Sequence, residues 1–384
     1  MPDDRPADLV LAGGRLFIGD AASGPAAGLA VRGGRIVALG PDDDVRSFVG
    51  PRTRLIELRG RMVTPGFQDA HVHALSSGLE RMRCDLHGVD GSDAYLEAIA
   101  RYALAHPDLP WIRGGGWSLQ DFPRGLPHRG LLDRVVADRP VFLASRDGHG
   151  AWVNSRALEL AGITAGTPNP PSGRIERDPD GEPSGTLQES AMYLVGRLAP
   201  PDDPRDREQA ILASQAYLHS LGITAWQEAA VDRNEQAAFE AVAGRGELTA
   251  RVVGALEWDD RRVDDQVAEL VERRAGGPVG RFAPSSVKIF QDGIVESFTA
   301  AMTVDYLDAE GRPTGNRGLS MIEPAALARI VARLDAEGFQ VHVHAIGDRA
   351  VHEALDAVEA ARAANGPSDG RHHLAHLQVV HPDD

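Results

Sequence analysis

Only one cysteine, Cys84, occurs in 384 residues, and of 40 lysines and arginines only one, Lys288, is lysine. A lone cysteine excludes an intrachain disulfide framework and fits a reducing compartment. Long apolar runs are missing too: no window approaches the ~20 residues that a membrane span needs. The opening residues, Met1 to Arg5, lack a basic region followed by an apolar stretch, so no signal peptide is expected. Positive charge is outnumbered by 56 Asp and Glu, and the formal net charge of -16 argues against nucleic acid and anionic membrane as partners. The expectation is a soluble, acidic, cytoplasmic protein that takes a small-molecule substrate, with a homo-oligomer as a possible state. A hydrophobic content of 42% suffices for a sizeable core. The 42 glycines and 25 prolines imply many short turns between strands and helices.

Patterning divides the chain. Residues 1–62 read as a small β-sandwich segment: short β-type runs (8–11, 15–18, 28–31, 35–39, 54–58) with turn pairs such as Gly13-Gly14 and Gly33-Gly34 between them. After Arg61 a strand leads into His71-Val72-His73. From about residue 205 helices and strands alternate: helices at 206–220, 234–244, 264–274, 324–337 and 348–364, strands at 223–227, 250–256, around Lys288, at 339–345 and at 373–380. Strands alternating with helices of this length mean βα units and a parallel sheet. With the His71 strand there are six. Residues 63–74 and 221–384 therefore read as a partial barrel, and 75–220 as an inserted, substrate-covering subdomain.

The single lysine lies in Ser285-Ser286-Val287-Lys288-Ile289-Phe290-Gln291-Asp292-Gly293, which reads as a buried strand running into a turn. A buried lysine can lose its proton, as a guanidinium cannot. It can then form a Schiff base, or add carbon dioxide to become a carbamate that ligates metals through oxygen. His71 and His73 are two apart near a strand end, so both project to one face. His342 and His344 repeat that spacing on a later strand, and His376 lies on the next, after His372 and His373. C-terminal strand ends of a parallel βα array converge on one mouth. So His71, His73, Lys288, one of His342 or His344, and His376 are expected around one cavity, a donor set suited to zinc and similar divalent ions. His87, His106, His128, His219, His352 and His381 have no partner spacing and read as surface or structural residues. The candidate substrate contacts are His149, in a turn after an apolar strand, with Trp117 and Asp292.

With these segments in hand, the chain resembles the amidohydrolase superfamily, and within it amidohydrolase family 3, which includes the N-substituted formamide deformylases. The resemblance is carried by Thr64 to His73, by Asp147-Gly148-His149 through Asn154-Ser155, by Val287 to Gly293, by His344 to Ala350 and by Arg371 to Gln378. It implies a metal-dependent-hydrolase (β/α)8 TIM barrel, α/β in class, with an N-terminal β-sandwich segment, a large insertion after strand 1 and only six barrel strands in this sequence. It also implies one or two divalent metal ions, zinc being the first choice. His71 and His73 match the first-strand ligands, and Lys288 the fourth-strand lysine, carboxylated to N6-carboxylysine in many members. His344 matches the fifth-strand ligand in preference to His342, and His376 the sixth; Lys288, His344 and His376 are thereby candidate catalytic residues as well. Two departures accompany the match. Ala375 stands where members often have an acid, and the eighth-strand aspartate, ligand and general base, has no counterpart, so the sequence is expected to be a piece of a longer protein.

The reaction implied is hydrolysis of a non-peptide C–N bond, such as a formamide or N-acyl amine, by metal-activated water. The rivals are an inactive metal-binding fragment or pseudo-enzyme without the aspartate, and the same centre acting on a lactone or phosphoester.

Overall fold

The computed structural model of the chain describes residues 5–19, 27–260, 262 and 265–384. These fall into two units, Met1–Phe67 and Gln68–Asp384. In the first, Leu9–Ala12, Gly28–Arg32, Arg35–Gly40 and Arg54–Glu57 form a four-stranded sheet. Gly33 and Gly34, both with positive φ (56° and 74°), close the hairpin between the second and third of these, the backbone that a tight two-residue turn requires. Leu9–Ala12 alternates half-buried and buried residues, and Val10 and Ala12 join Ala7, Ala30 and Val45 in a small core. Met62–Val63 pairs with Arg15–Leu16 as a separate two-stranded sheet.

Six strands, all in the second unit except for the first residue of the first, make one sheet: β1 (Phe67–Val72), β2 (Ile223–Val231), β3 (Arg251–Glu257), β4 (Phe282–Phe290), β5 (Gln340–Ala345) and β6 (His373–His376), side by side in chain order. The pairs from β2 through β6 are parallel. Helices 204–220, 233–244, 267–275, 324–336 and 348–365 alternate with the strands. The expected first residue of the third of these, Asp264, lies outside the described residues. Strand interiors such as Val287, Ile289, Val341 and Val343 and helix faces such as Leu327, Val331 and Leu334 are buried in one common core. β1 and β6 are the two edges of this sheet, yet the rings of His71 and His376 are 4.7 Å apart. The sheet is therefore rolled until its edges' side chains meet. β6 stops at His376 instead of running to Val380, because His376 and Leu377 take positive φ (84° and 49°), which no strand continues through.

Residues 75–220 form a second six-stranded sheet within the same unit, with Pro183–Glu189, Gly150–Val153, Val141–Ser145 and Ile112–Trp117 at its centre. A helix at Ser92–Ala105, missed by the periodicity, covers it through Tyr95 and Ile99. Among the described residues no helix is long and apolar enough to cross a membrane.

Candidate active site

Register explains most of the site. Lys288 of β4 stands opposite His342 of β5, and His342 opposite His373 of β6. Residues paired across a sheet point to one side, so these three form a row, which Glu257 of β3 extends past Lys288. Two residues further along, Phe290 and His344 form the next row on the same side. His376 pairs with Ala345 and by strand alternation would point away from His344. Its left-handed backbone turns it back, and its ring lies 4.6 Å from that of His344. Non-glycine residues in that region of backbone space carry strain of ~1–3 kcal/mol and gather at functional sites.

The rings form a connected cluster. His373 lies 4.3 Å from His342, His342 4.8 Å from His71, and His71 5.2 Å from His73. On the other side, His344 is 5.0 Å from His149. Nδ1 of His71 and Nε2 of His342 share a hydrogen bond of 2.9 Å. His344 donates from Nε2 to the Gly293 carbonyl at 3.1 Å; a carbonyl only accepts, so the lone pair of this ring is on Nδ1.

Burial keeps all of these rings but one neutral; the pKa of His149 is instead raised, because the charge and hydrogen bond of Glu189 outweigh its burial. Burial, reinforced by Lys288, lowers the pKa of His71 to about 2, of His73 to about 3 and of His376 to about 4. Those of His342, His344 and His373 are lowered as well, again chiefly by burial. Lys288 is fully buried, and burial brings its amine down to about 7 against the opposing pull of Glu257. At neutral pH the other imidazoles are lone-pair donors and a large share of the amine is unprotonated. Lys288 Nζ, His342 Nδ1, His344 Nδ1 and His373 Nε2 are all buried without a hydrogen-bond partner. Orphaned buried polar atoms are rare and costly, and a gathered set of neutral nitrogen donors is the chemistry of a divalent-metal site. The donors are assembled rather than aimed: among the described residues no group of three or more His, Cys, Asp or Glu side chains is arranged to hold a metal ion outright.

A cavity of about 350 Å3 opens beside the cluster, lined by His73, Arg146, His149, Glu189, Phe290 and Asp292 among others. His149, expected there, is there. Trp117 is not. It is fully buried in the core of the inserted sheet against Phe122 and Trp152, and its indole N–H donates to the Leu143 carbonyl at 2.9 Å. The glycine-flanked tryptophan is packing, because it ends a strand that is buried almost throughout. Asp292 reaches the cavity wall but is spent on the backbone: its two oxygens accept from the N–H groups of Ala301, Ile346 and Gly347 at 2.8–3.0 Å. Burial raises its pKa to about 7 while those bonds pull the other way. It ties the end of β4 to the loop after β5, and so reads as an anchor of the site's frame instead of a substrate contact.

Three residues escaped the sequence. His373 has no sequence spacing that ties it to His342, and only the register of β5 with β6 sets the two opposite each other. Glu189, at the end of the strand Pro183–Glu189, accepts from His149 Nδ1 at 2.9 Å. Glu228, fully buried on β2, accepts from the Leu75 N–H and the Trp226 indole, and burial pushes its pKa up to about 8. A glutamate in the apolar run Ile223-Thr224-Ala225-Trp226-Gln227-Glu228-Ala229 was the available signal.

With this geometry in view, comparison with known proteins is informative. The sequence profile of the amidohydrolase family matches residues 54–384. The putative amidohydrolase YtcJ of Bacillus subtilis is 31% identical over 91% of this chain and 65% of its own. The protein LONG AFTER FAR-RED 3 of Arabidopsis thaliana is 29% identical over 98% of this chain and 65% of its own. The N-substituted formamide deformylase of Arthrobacter pascens is 28% identical over 92% and 66%. This chain thus spans about two-thirds of the length of these relatives. Among solved structures, an uncharacterized metal-dependent hydrolase from Pyrococcus furiosus superposes with a TM-score of 0.66 at 25% identity, over 92% of this chain and 70% of that one.

Proposed function

The chain belongs to the amidohydrolase family, and on that footing we propose that it is a metal-dependent hydrolase of C–N bonds outside ordinary peptides, a formamide or N-acyl amine being the substrate type. The observation that carries the reading is Lys288: the chain's single lysine, fully buried, unpartnered, and set among neutral histidines. His71, His73, His344 and His376 would hold the metal, zinc by preference for this donor set, with Lys288 as an N6-carboxylysine supplying an oxygen. A divalent ion bound there would supply a water acidic enough to act near pH 7 and would polarise the substrate carbonyl. The chain's own part is to keep the imidazoles unprotonated by burial, to hold an amine that is free to carboxylate, and to offer a walled cavity beside the cluster. His342 and His373 share the row of Lys288 and would support the same donors from below.

The name of the Arthrobacter pascens relative favours an N-substituted formamide over a lactone or phosphoester. The test is metal content together with a substrate panel. Replacing His71 and His73 by Ala should weaken zinc binding by at least roughly tenfold, judged by the 10–100-fold that even supporting residues are worth. Lys288→Arg should prevent binding of a second ion, since guanidinium cannot carboxylate. Undiminished metal content in the His71→Ala/His73→Ala protein, or turnover of lactones and phosphotriesters but of no formamide, would overturn the reading.

A further inference from the structure

The run Gly114-Gly115-Gly116 before Trp117 makes room for a carboxyl group in the cavity wall. A Cβ on Gly115 would come within 2.9 Å of Glu80 Cδ and 3.0 Å of its Oε2. One on Gly116, whose φ is 100°, would overlap the ring of His87. Bare backbone at these two positions lets Glu80 and His87 lie against the strand. Glu80 belongs to the helix Ala74–Arg81, which begins directly after His73. His73, Ser76, Ser77 and Glu80 all line the cavity, and their i, i+3, i+4, i+7 spacing is one face of a helix. Ala74, Leu75, Gly78 and Leu79 are buried on the other. The helix thus sets Glu80 about 10 Å along its axis from His73, at ~1.5 Å per residue.

Among the described residues the cavity is lined by the carboxyl groups of Glu80, Asp147, Glu189, Glu257, Asp260 and Asp292, and, histidines apart, by one basic side chain, Arg146. Most of the acids are engaged elsewhere. Asp147 accepts from the His149 N–H and the Ser145 hydroxyl, Glu189 from His149 and Thr299, and Asp292 from the backbone. Glu257 and Asp260 have contacts of their own. Glu80 differs: among the described residues it accepts no hydrogen bond, and its one ion-pair contact is His87, whose Nε2 stands 3.7 Å from its Oε2. Nδ1 of that ring is given to Asp85 Oδ1 at 2.8 Å. Burial, helped by the charge of Asp85, raises the pKa of Glu80 to about 7 against the pull of Arg83 and Arg81. A poorly solvated carboxyl, without a hydrogen bond and open to a cavity, suits a ligand that brings positive charge and N–H donors. Such a ligand would itself favour the ionised carboxylate.

We propose that Glu80 is a specificity-determining residue that binds an ammonium group at the far end of the substrate's amine, so that the preferred substrates are mono-acylated diamines. The inference rests on the hydrolase reading above and narrows its substrate class. The spacing from His73 to Glu80 sets the length. A helical side chain leans back toward the N-terminus, so somewhat less than the axial distance has to be spanned. An extended chain gains about 1.2 Å per bond, so an ammonium about seven bonds from the scissile carbon reaches roughly 8 Å, whereas one about four bonds away falls short.

The test compares three formamides of equal length, N-(5-aminopentyl)formamide, N-hexylformamide and 6-formamidohexanoate, with N-(2-aminoethyl)formamide as the short probe. Binding to the zinc-loaded 384-residue chain is measured by titration calorimetry, so that the readout does not depend on turnover. At pH 8.5 Glu80 is ionised and an alkylammonium still protonated. The aminopentyl probe should bind at least about tenfold more tightly than the hexyl probe, the scale of a hydrogen bond to a charged group. The carboxylate probe should bind most weakly, and the short probe should lose the gain. In Glu80→Gln, which keeps the shape, the aminopentyl and hexyl probes should bind alike. In Glu80→Lys the order should turn over to favour the carboxylate probe. Gly115→Ala, which displaces the carboxyl without removing it, should reduce the preference. Four results overturn this inference and leave the hydrolase reading standing: no gain for the aminopentyl probe in the parent protein, equal binding of the short probe, an intact preference in Glu80→Gln, or a parent that prefers the carboxylate probe, which would point to Arg146. Binding of none of the formamides overturns both.

Discussion

Replacing Lys288 by methionine should make the metal-free protein more stable at neutral pH, by an amount that shrinks as pH rises. Lys288 is fully buried, and its Nζ has no hydrogen-bond partner, only the face of Phe290 at 4.4 Å. Bringing the amine from its ordinary 10.5 down to about 7 corresponds to about 5 kcal/mol at ~1.4 kcal/mol per pH unit. The sign follows from proton counting. Between pH 7 and 10.5 the unfolded chain holds a proton on this amine that the folded chain has released, so stability rises with pH across that window. At pH 7 and below the whole cost is present. At pH 9 about 2 kcal/mol remains, and above 10.5 none.

Methionine has a similar length and no proton to lose, so the stability difference between parent and Lys288→Met isolates this one group. The measurement is urea unfolding of both proteins with chelator present and carbon dioxide excluded, at pH 7 and pH 9. The variant should be more stable by up to about 5 kcal/mol at pH 7 and about 2 at pH 9, with equal denaturant slopes. A gap of the same size at both pH values would show that the effect is ordinary packing. A variant less stable than the parent at pH 7 would show that the amine has a partner when folded, and the case for a lysine free to carboxylate would fall with it.

Trp117→Ala should cost about 3–5 kcal/mol of stability, as for other buried aromatic truncations, yet change formamide binding less than twofold; a selective loss of binding would return the tryptophan to the cavity. Gly293→Ala should push Thr299 and Glu189 apart, lowering stability by about 1–3 kcal/mol with zinc content unchanged; a variant as stable as the parent in urea unfolding would mean that the loop after β4 does not need its close approach to Glu189.

What the sequence made legible is what local periodicity carries. Buried runs such as Val341 to Ala345 and the three-and-four spacing of Leu327, Val331 and Leu334 are written in consecutive residues, so the six strands and their helices could be counted without coordinates. The H-x-H pairs were legible for the same reason, since a two-residue spacing fixes a face. Whether His342 or His344 mattered was not, because both share that face and only the pairing of β5 with its neighbours separates the row of Lys288 from the row of Phe290. Asp292 shows a different limit. An acid after a strand looks like a substrate contact, and only the folded loops reveal that its oxygens are occupied by backbone N–H groups.

His376 and Glu189 mark the remaining distance between pattern and site. Read as one continuous strand, 373–380 would point His376 away from His344; it enters the cluster because the backbone leaves strand geometry at that residue. Positive φ at a non-glycine residue leaves no trace in the residue letters, and it persists only where the surroundings impose it. Glu189 sits 40 positions from His149 and 110 from Thr299, so its role is defined entirely by contacts across the fold. The hydrophobic pattern therefore builds the frame, while the direction of each reactive nitrogen is set by long-range hydrogen bonds that the frame brings together. For that reason a substitution at Glu189 or Gly293 should disturb the hydrogen bonds around His149 while leaving the element pattern of the fold intact.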